Sequence, residues 1–376
     1  MKITRPGKIA RRDLLAGAAA LACLGTVRRA PAESAGFAFP LLGDLHFDRL
    51  AHHDMVWLER EKPNDVSQVR NYSQLTEQML PRLFPELKAT IAASRLKVPF
   101  VVQVGDLVEG LCGTPELARR QCTEAVRFVR EANLGAPMLF TKGNHDITGP
   151  GSGEAFSEVL LPMAGEGAHQ ELKSASYTIE QGEVLFAYYD SYSRESLPWL
   201  EKTLEGRSAK HLIVVIHQPV VPFGARSTWG VFAGERQAAE RARLLKLLGR
   251  HRAVVLCGHL HKFGTVVRKS DEGPFVQLMV SSILSTMGAE PRDHVEGVAQ
   301  YGPDLVRLEP KFAPDTEAAR REVLRVEAPF IRQFEYADAP GYALLEVEGN
   351  HIRARVYQGL SKQPWKTLDL TGMRDA

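Results

Sequence analysis

The sequence predicts an α/β protein in which two packed, mixed β-sheets are flanked by helices. Short apolar runs closed by turn residues alternate with longer segments whose apolar residues recur every three or four positions. Further strand-like runs at 275–284, 342–347 and 351–357 suggest a second sheet packed on the first. With 376 residues, 44% of them hydrophobic and 24% charged, the chain can fill a sizeable core. No repeat, coiled coil or low-complexity tract interrupts it.

The N-terminus reads differently from the rest. Lys2, Arg5, Lys8, Arg11 and Arg12 form a basic stretch, residues 14–27 are apolar, and Ala30-Pro31-Ala32 has the pattern of a cleavage site. The apolar run is too short to span a bilayer, so residues 1–32 are expected to be a signal peptide. Arg11-Arg12 resembles a twin-arginine signal, which implies export of a folded chain, although Leu14 stands where Phe is commoner. Cleavage near Ala32 would leave Glu33 first in a periplasmic or extracellular chain with no membrane span. Residues 33–376 are then expected to form a single domain, with 286–376 as a C-terminal extension closing the second sheet.

The leader holds seven of the 47 Lys and Arg and one of the 45 Asp and Glu. Residues 33–376 therefore carry 40 basic and 44 acidic side chains, a net charge of about −4, and no basic field that would argue for nucleic-acid binding. They also keep Cys112, Cys122 and Cys257. In an oxidising compartment Cys112 and Cys122 either pair or stay free, and Cys257, within an apolar run, is expected to be a buried thiol.

Taken in order, the expected strands are 37–42, 98–104, 137–140, 211–216 and 253–256. Helical spacing marks 73–97, with breaks expected at Pro81 and Pro85, then 115–133, 199–204, 238–248 and 316–325. The polar stretch 49–71 is long for a connection and is expected to form a lid. Within it, His52 and His53 read as part of a solvated loop, with substrate contact as the alternative.

Each of the five strands ends at residues able to bind metal: GDLH (43–46), GDLVE (105–109), GNHD (143–146), IHQP (216–219) and GHLH (258–261). Open α/β sheets place ligands just beyond the carboxyl ends of their strands, so the five loops would converge on one site. Asp, His and Asn are O and N donors suited to Mn, Fe or Zn, and no thiolate belongs to the set.

These five segments resemble the D-x-H, GD, GNH, H and GHxH motifs of the calcineurin-like metallophosphoesterase superfamily. The resemblance covers residues 37–285 and extends to the SYTIE, LFAYYDSY and LPWLEKTL segments within 176–204. It implies a four-layer αββα sandwich and two metal ions. Asp44, His46 and His261 would hold one ion, Asn144, His217 and His259 the other, and Asp106 would bridge them. A metal-activated hydroxide would attack phosphorus, His145 would act as general acid to the leaving group, and Asp146 would orient the His145 imidazole.

The implied activity is hydrolysis of a phosphate ester, a small soluble phosphodiester or nucleotide, with a phosphomonoesterase as the alternative. A non-catalytic ligand-binding relative is disfavoured because no ligand residue is lost, and no G-x-S-x-G elbow supports a serine hydrolase. Glu109 stands where purple acid phosphatases carry a metal-binding Tyr, and reads as a solvated or hydrogen-bonding residue. Arg226 and Trp229 either contact phosphate and a base or sugar, or belong to the surface. Residues 149–153 (GPGSG) lack the Lys-Ser/Thr of a P-loop.

Overall fold

A strand that is apolar at every position needs cover on both faces, and residues 37–42, 184–189, 211–216 and 254–257 have it. The computed structural model describes residues 36–283, 290–310 and 315–376. The signal peptide expected at residues 1–32 lies outside them.

The strands are β1 (Phe37–Leu42), β2 (Val101–Gln103), β3 (Met138–Phe140), β4 (Tyr177–Gln181), β5 (Val184–Tyr189), β6 (His211–Ile216) and β7 (Val254–Cys257), followed by β8 (Phe263–Ser270), β9 (Gly273–Met279), β10 (Arg292–Glu296), β11 (Ile331–Asp338), β12 (Gly341–Glu348), β13 (His351–Gln358) and β14 (Lys366–Asp369). They form a six-stranded sheet in the order β14-β13-β12-β1-β2-β3 and an eight-stranded sheet in the order β10-β11-β8-β9-β7-β6-β5-β4. Neighbours are parallel along β1-β2-β3 and along β5-β6-β7-β9. The other pairings are antiparallel, so both sheets are mixed.

The period-two geometry of a strand divides its side chains between layers. In β6, Ile213 and Val215 face the core between the sheets, where they join Phe39, Leu41 and Leu345 of the first sheet. Leu212, Val214 and Ile216 face outward under helices. Phe39 and Phe100 meet Phe186 edge-on, with ring centroids 5.2 and 5.1 Å apart. That geometry suits the aromatic quadrupole, and cutting Phe186 back to alanine would cost ~3–5 kcal/mol.

The helices are α1 (Met55–Glu61), α2 (Val66–Gln78), α3 (Leu80–Ala92), α4 (Pro115–Ala132), α5 (Ser152–Ala155), α6 (Leu161–Ala168), α7 (Ser196–Glu205), α8 (Ala238–Arg250), α9 (Glu317–Glu327) and α10 (Leu370–Asp375). Leu83 and Leu87 of α3, Val126 of α4 and Met163 of α6 cover the outer face of the first sheet. Leu200 of α7, Leu248 of α8 and Leu324 of α9 cover the second. The start of α4 is local chemistry: Thr114 Oγ1 accepts from Leu117 N (3.3 Å) and Pro115 needs no partner for a missing N–H. Asn133 ends it in the left-handed region at φ 45°.

Four expectations change. The five motif strands do not share one sheet: β1, β2 and β3 lie in the first and β6 and β7 in the second. The C-terminal extension does not simply close the second sheet, because β10 and β11 join it while β12, β13 and β14 complete the first. The stretch 49–71 is not a lid loop; it holds α1 and the start of α2, whose polar residues form the exposed faces of helices. The break expected at Pro81 and Pro85 falls at Met79, between α2 and α3. Pro81 then occupies the first turn of α3, where no N–H is required, and Pro85 is accommodated inside it.

Among the described residues no helix is long and apolar enough to cross a membrane. Cys112, Cys122 and Cys257 are free and buried, so the open Cys112–Cys122 pairing is not made. Burial raises the pKa of all three thiols.

Candidate metal centre

The loops that leave β1, β2, β3, β6 and β7 fold onto one another before any ligand is considered. Leu45 N and His46 N both donate to the Asp106 carbonyl (3.0 Å each). His259 N donates to both oxygens of Asp44 (3.0 and 2.9 Å), and His145 N to Asp106 Oδ1 (2.7 Å). The buried amide of Gln103, at the end of β2, clamps two loops: Nε2 donates to Gly43 O (3.0 Å) and Gly105 O (2.5 Å), while Oε1 accepts from Gly105 N (2.9 Å).

Four donor-bearing residues turn sharply. His46, Asp106, His259 and His261 have φ of 44°, 55°, 77° and 55°, in the left-handed region that costs a non-glycine residue about 1–2 kcal/mol. The turn reverses the chain within a residue or two of the strand and aims neighbouring side chains inward. Two glycines are required by close approach: a β-carbon at Gly143 would collide with the Asp106 carboxylate, and one at Gly258 with that of Asp44.

The result is two groups that share Asp106. Asp44, His46, Asp106 and His261 each present an O or N atom within 4.8 Å of the others, and so do Asp106, His217 and His259. In the first group, His261 Nε2 lies 2.8 Å from Asp44 Oδ2 and 3.1 Å from His46 Nε2. In the second, His217 Nε2 lies 3.1 Å from each of Asp106 Oδ2, Asn144 Oδ1 and His259 Nδ1. All seven residues singled out by sequence as ligands are thus brought together.

The donor set fits a cation. His217 Nδ1 donates to the Val104 carbonyl (2.9 Å), which leaves a lone pair on Nε2 facing other lone pairs. His46 Nδ1 likewise faces Glu109 Oε2 at 2.6 Å, so its Nε2 points inward as an acceptor. Acceptors converging without donors between them need positive charge. Burial works against charge on both His217 and Asp106, yet the Asp106 carboxylate lifts His217 to about 9, and His217 and His145 hold Asp106 well below the carboxylate range. Burial, then the neighbouring His145, drives His46 well below its ordinary value.

His145 stands at the edge of the first group, 18% exposed, with Nδ1 donating to the Glu109 carbonyl (2.9 Å) and 3.4 Å from Glu109 Oε2. Burial opposes its protonation, but the Glu109 and Asp106 carboxylates raise it to about 9. Asp146 does not touch this imidazole, contrary to expectation. Consecutive residues of the short turn His145–Ile147 point apart, and the Asp146 oxygens accept from the backbone N–H groups of Asp106 (3.0 Å), Val108 (3.1 Å) and Gly143 (2.8 Å). Asp146 holds the GD and GNH loops together.

Sequence reasoning missed Tyr72 and Tyr192, and left Glu109 open between a solvated and a hydrogen-bonding role. Glu109 is fully buried, not solvated; it faces His46 and His145, accepts from Gln68 Nε2 (2.9 Å), and burial pushes its carboxyl up to about 8. Tyr72 stacks on His46, with centroids 4.2 Å apart and planes 8° apart, and its hydroxyl lies 3.4 Å from His261 Nδ1. Tyr192 donates to Asn144 Oδ1 (3.3 Å). The helical spacing of Val69, Tyr72 and Thr76 was the available signal for Tyr72, since all three lie on the buried face of α2.

His52 and His53 are buried rather than in a solvated loop. His53 Nε2 bonds Asp48 Oδ1 (2.7 Å), and His52 Nε2 lies 3.1 Å from Glu124. Arg226 pairs with Glu309 (3.0 Å), and Trp229 lies beside His259.

The family model for calcineurin-like phosphoesterases matches residues 39–263, a span that contains all five strand-end motifs. The chain belongs to the calcineurin-like phosphoesterase family. Its Asp and His cluster is a donor set that suits a divalent metal ion. No curated protein matches it by sequence.

Among solved structures, a purple acid phosphatase from yellow lupin (Lupinus luteus) seeds is similar over 90% of this chain at 12% identity and a TM-score of 0.51. This chain covers 54% of that enzyme, so it spans about half the length of the lupin protein. The protein PhoD is similar over 90% of this chain and 69% of its own, at 13% identity and a TM-score of 0.50. Both likenesses are of fold, with the two flanked mixed sheets in common.

Proposed function

We propose that this phosphoesterase holds two ions, drawn from Mn, Fe or Zn, and hydrolyses a small soluble phosphodiester or nucleotide. The carrying observation is that Asp106 belongs to both donor groups. Asp44, His46 and His261 would hold one ion, Asn144, His217 and His259 the other, with a carboxylate oxygen of Asp106 available to each. Ions bound there would neutralise phosphoryl charge and supply a nucleophilic water at neutral pH.

The chain's own residues do the rest. The loop contacts of Gln103 and Asp146 preset the donors. The Val104 carbonyl and the Glu109 carboxylate fix which nitrogen of His217 and of His46 turns inward. His145, with Nδ1 bound to the Glu109 carbonyl, has Nε2 available to donate a proton to the departing alkoxide or to stabilise its charge. The basic and apolar stretch with its Ala-Pro-Ala end supports export, with a mature chain beginning at Glu33.

The test is elemental analysis of the purified protein together with a substrate panel. Two ions per chain are expected, with loss of metal and activity in Asp44→Ala and Asn144→Ala. His145→Ala should keep its metal and lose about 10²–10⁴ in kcat on an unactivated ester. Full activity of metal-depleted Asn144→Ala on aryl phosphates would refute the mechanism. Rates on an aryl phosphomonoester and the matching diester decide the ester class, and the mass of exported protein decides the cleavage.

A further inference from the structure

Asn144, His217 and His259 are flanked by two aromatic side chains that the hydrolytic steps do not use. Trp229 lies beside His259, with ring centroids 5.7 Å apart and planes tilted by 41°. Tyr192 donates to Asn144 Oδ1 (3.3 Å), and its ring lies 6.4 Å from that of His217 at 45°. Both rings are half-buried.

The segment that carries Trp229 is built rather than a loose tip. Gln277, inside β9, accepts from Val220 N (2.8 Å) and Val221 N (2.9 Å) and donates to Val221 O (2.9 Å). Val231 N returns to Pro219 O (3.0 Å), closing the loop on itself. Ser227 Oγ donates to Arg320 O (2.7 Å). Arg226 is held by Glu309 (3.0 Å), places its guanidinium 5.4 Å from the Trp229 ring centroid, and accepts Trp229 N at its carbonyl (3.0 Å). Tyr192 is tied at its backbone, where its N–H donates to Asp190 Oδ1 (2.9 Å).

An aromatic face already fixed in place loses little conformational freedom when a flat ring stacks on it. Indole and phenol also accept rings of varied edge chemistry, because every base has a π-face. We infer that Trp229 is a stacking platform for the planar aromatic group of the phosphoester, a nucleobase. The inference rests on the hydrolytic reading above and adds to it the class of substrate.

Three monoesters with alkyl leaving oxygens separate the sources of recognition: uridine 5′-monophosphate, benzyl phosphate and glycerol 3-phosphate. Uridine 2′,3′-cyclic phosphate against glycerol 1,2-cyclic phosphate does the same for diesters. The uridine esters should exceed their glycerol partners in kcat/KM by at least about tenfold, with benzyl phosphate between if any ring suffices. Trp229→Ala should lower the uridine values by roughly 10- to 100-fold and the glycerol values by less than about threefold, whereas Trp229→Phe should retain most of the preference. Equal losses on all substrates would show that Trp229 acts only through His259, and overturn the inference. Free uridine, which has no phosphate to cleave, gives a second readout by calorimetry: its affinity should fall in Trp229→Ala, and unchanged affinity overturns the platform. If no ester is turned over by metal-loaded protein, the hydrolytic reading fails, and the uridine titration still decides the role of Trp229.

Discussion

Replacing Gln103 with leucine removes a clamp without removing any metal donor or charge. The amide makes three contacts to two loops, accepting from Gly105 N and donating to Gly43 O and Gly105 O, all buried. Leucine fills a similar volume, so no large cavity opens, but one N–H loses its acceptor and two carbonyls lose a donor. An unsatisfied buried donor or acceptor costs ~1–3 kcal/mol, with carbonyls at the lower end because other donors can reach their second lone pair. The expected destabilisation of Gln103→Leu is therefore about 2–5 kcal/mol. In a domain of this size that corresponds to a melting temperature lower by roughly 3–7 °C.

The loops released carry Asp44 and Asp106, so metal affinity should weaken together with stability. Urea unfolding of the chelated protein measures the first effect, and metal titration of the folded variant measures the second. A variant within about 0.5 kcal/mol of the parent, with unaltered metal affinity, would refute the claim that this amide presets the donors.

Chelation should lower the melting temperature of the parent, since four donor-bearing residues sit in left-handed backbone and the donors face one another; restoring a tightly bound ion at 100 times its Kd should return ~2.7 kcal/mol, and a scan unchanged by metal would refute the cage. Asp48 has its pKa lowered, although burial opposes this, by His52, His53 and Ser73, while Asp48 raises that of His53 against burial. The carboxylate's contribution is present above its unfolded pKa and lost as pH falls through its depressed folded value; the His53 contribution is present below the unfolded imidazole pKa and lost as pH rises through its raised value. Asp48→Asn should thus cost most between about pH 5 and pH 6.5, with a smaller cost on either side, as urea midpoints against pH would show; a flat difference would refute the pairing. Cys112, Cys122 and Cys257 should react with a thiol reagent only on unfolding, and recovery of a Cys112–Cys122 disulfide would contradict the free, buried thiols.

The sequence by itself determined the strand-end motifs and their donors. Strand periodicity, glycine-bounded turns and the coordination chemistry of Asp, Asn and His are local properties, and Asp44, His46, Asp106, Asn144, His217, His259 and His261 carry them in short, recognisable segments. The limits of α4 were legible as well, since helical spacing gave 115–133 and the helix runs Pro115–Ala132. Tertiary structure decided what depends on partners far along the chain. The division of the motif strands between two sheets follows from pairings such as β1 with β12, whose register sets Phe39 opposite Leu345. The burial of Glu109 and the stacking of Tyr72 on His46 depend on where α2 is laid down. The direction of the Asp146 side chain depends on a single turn that points it away from His145 and toward three backbone N–H groups. Spacing along a chain fixes what a residue can offer, but only packing fixes which neighbour receives it.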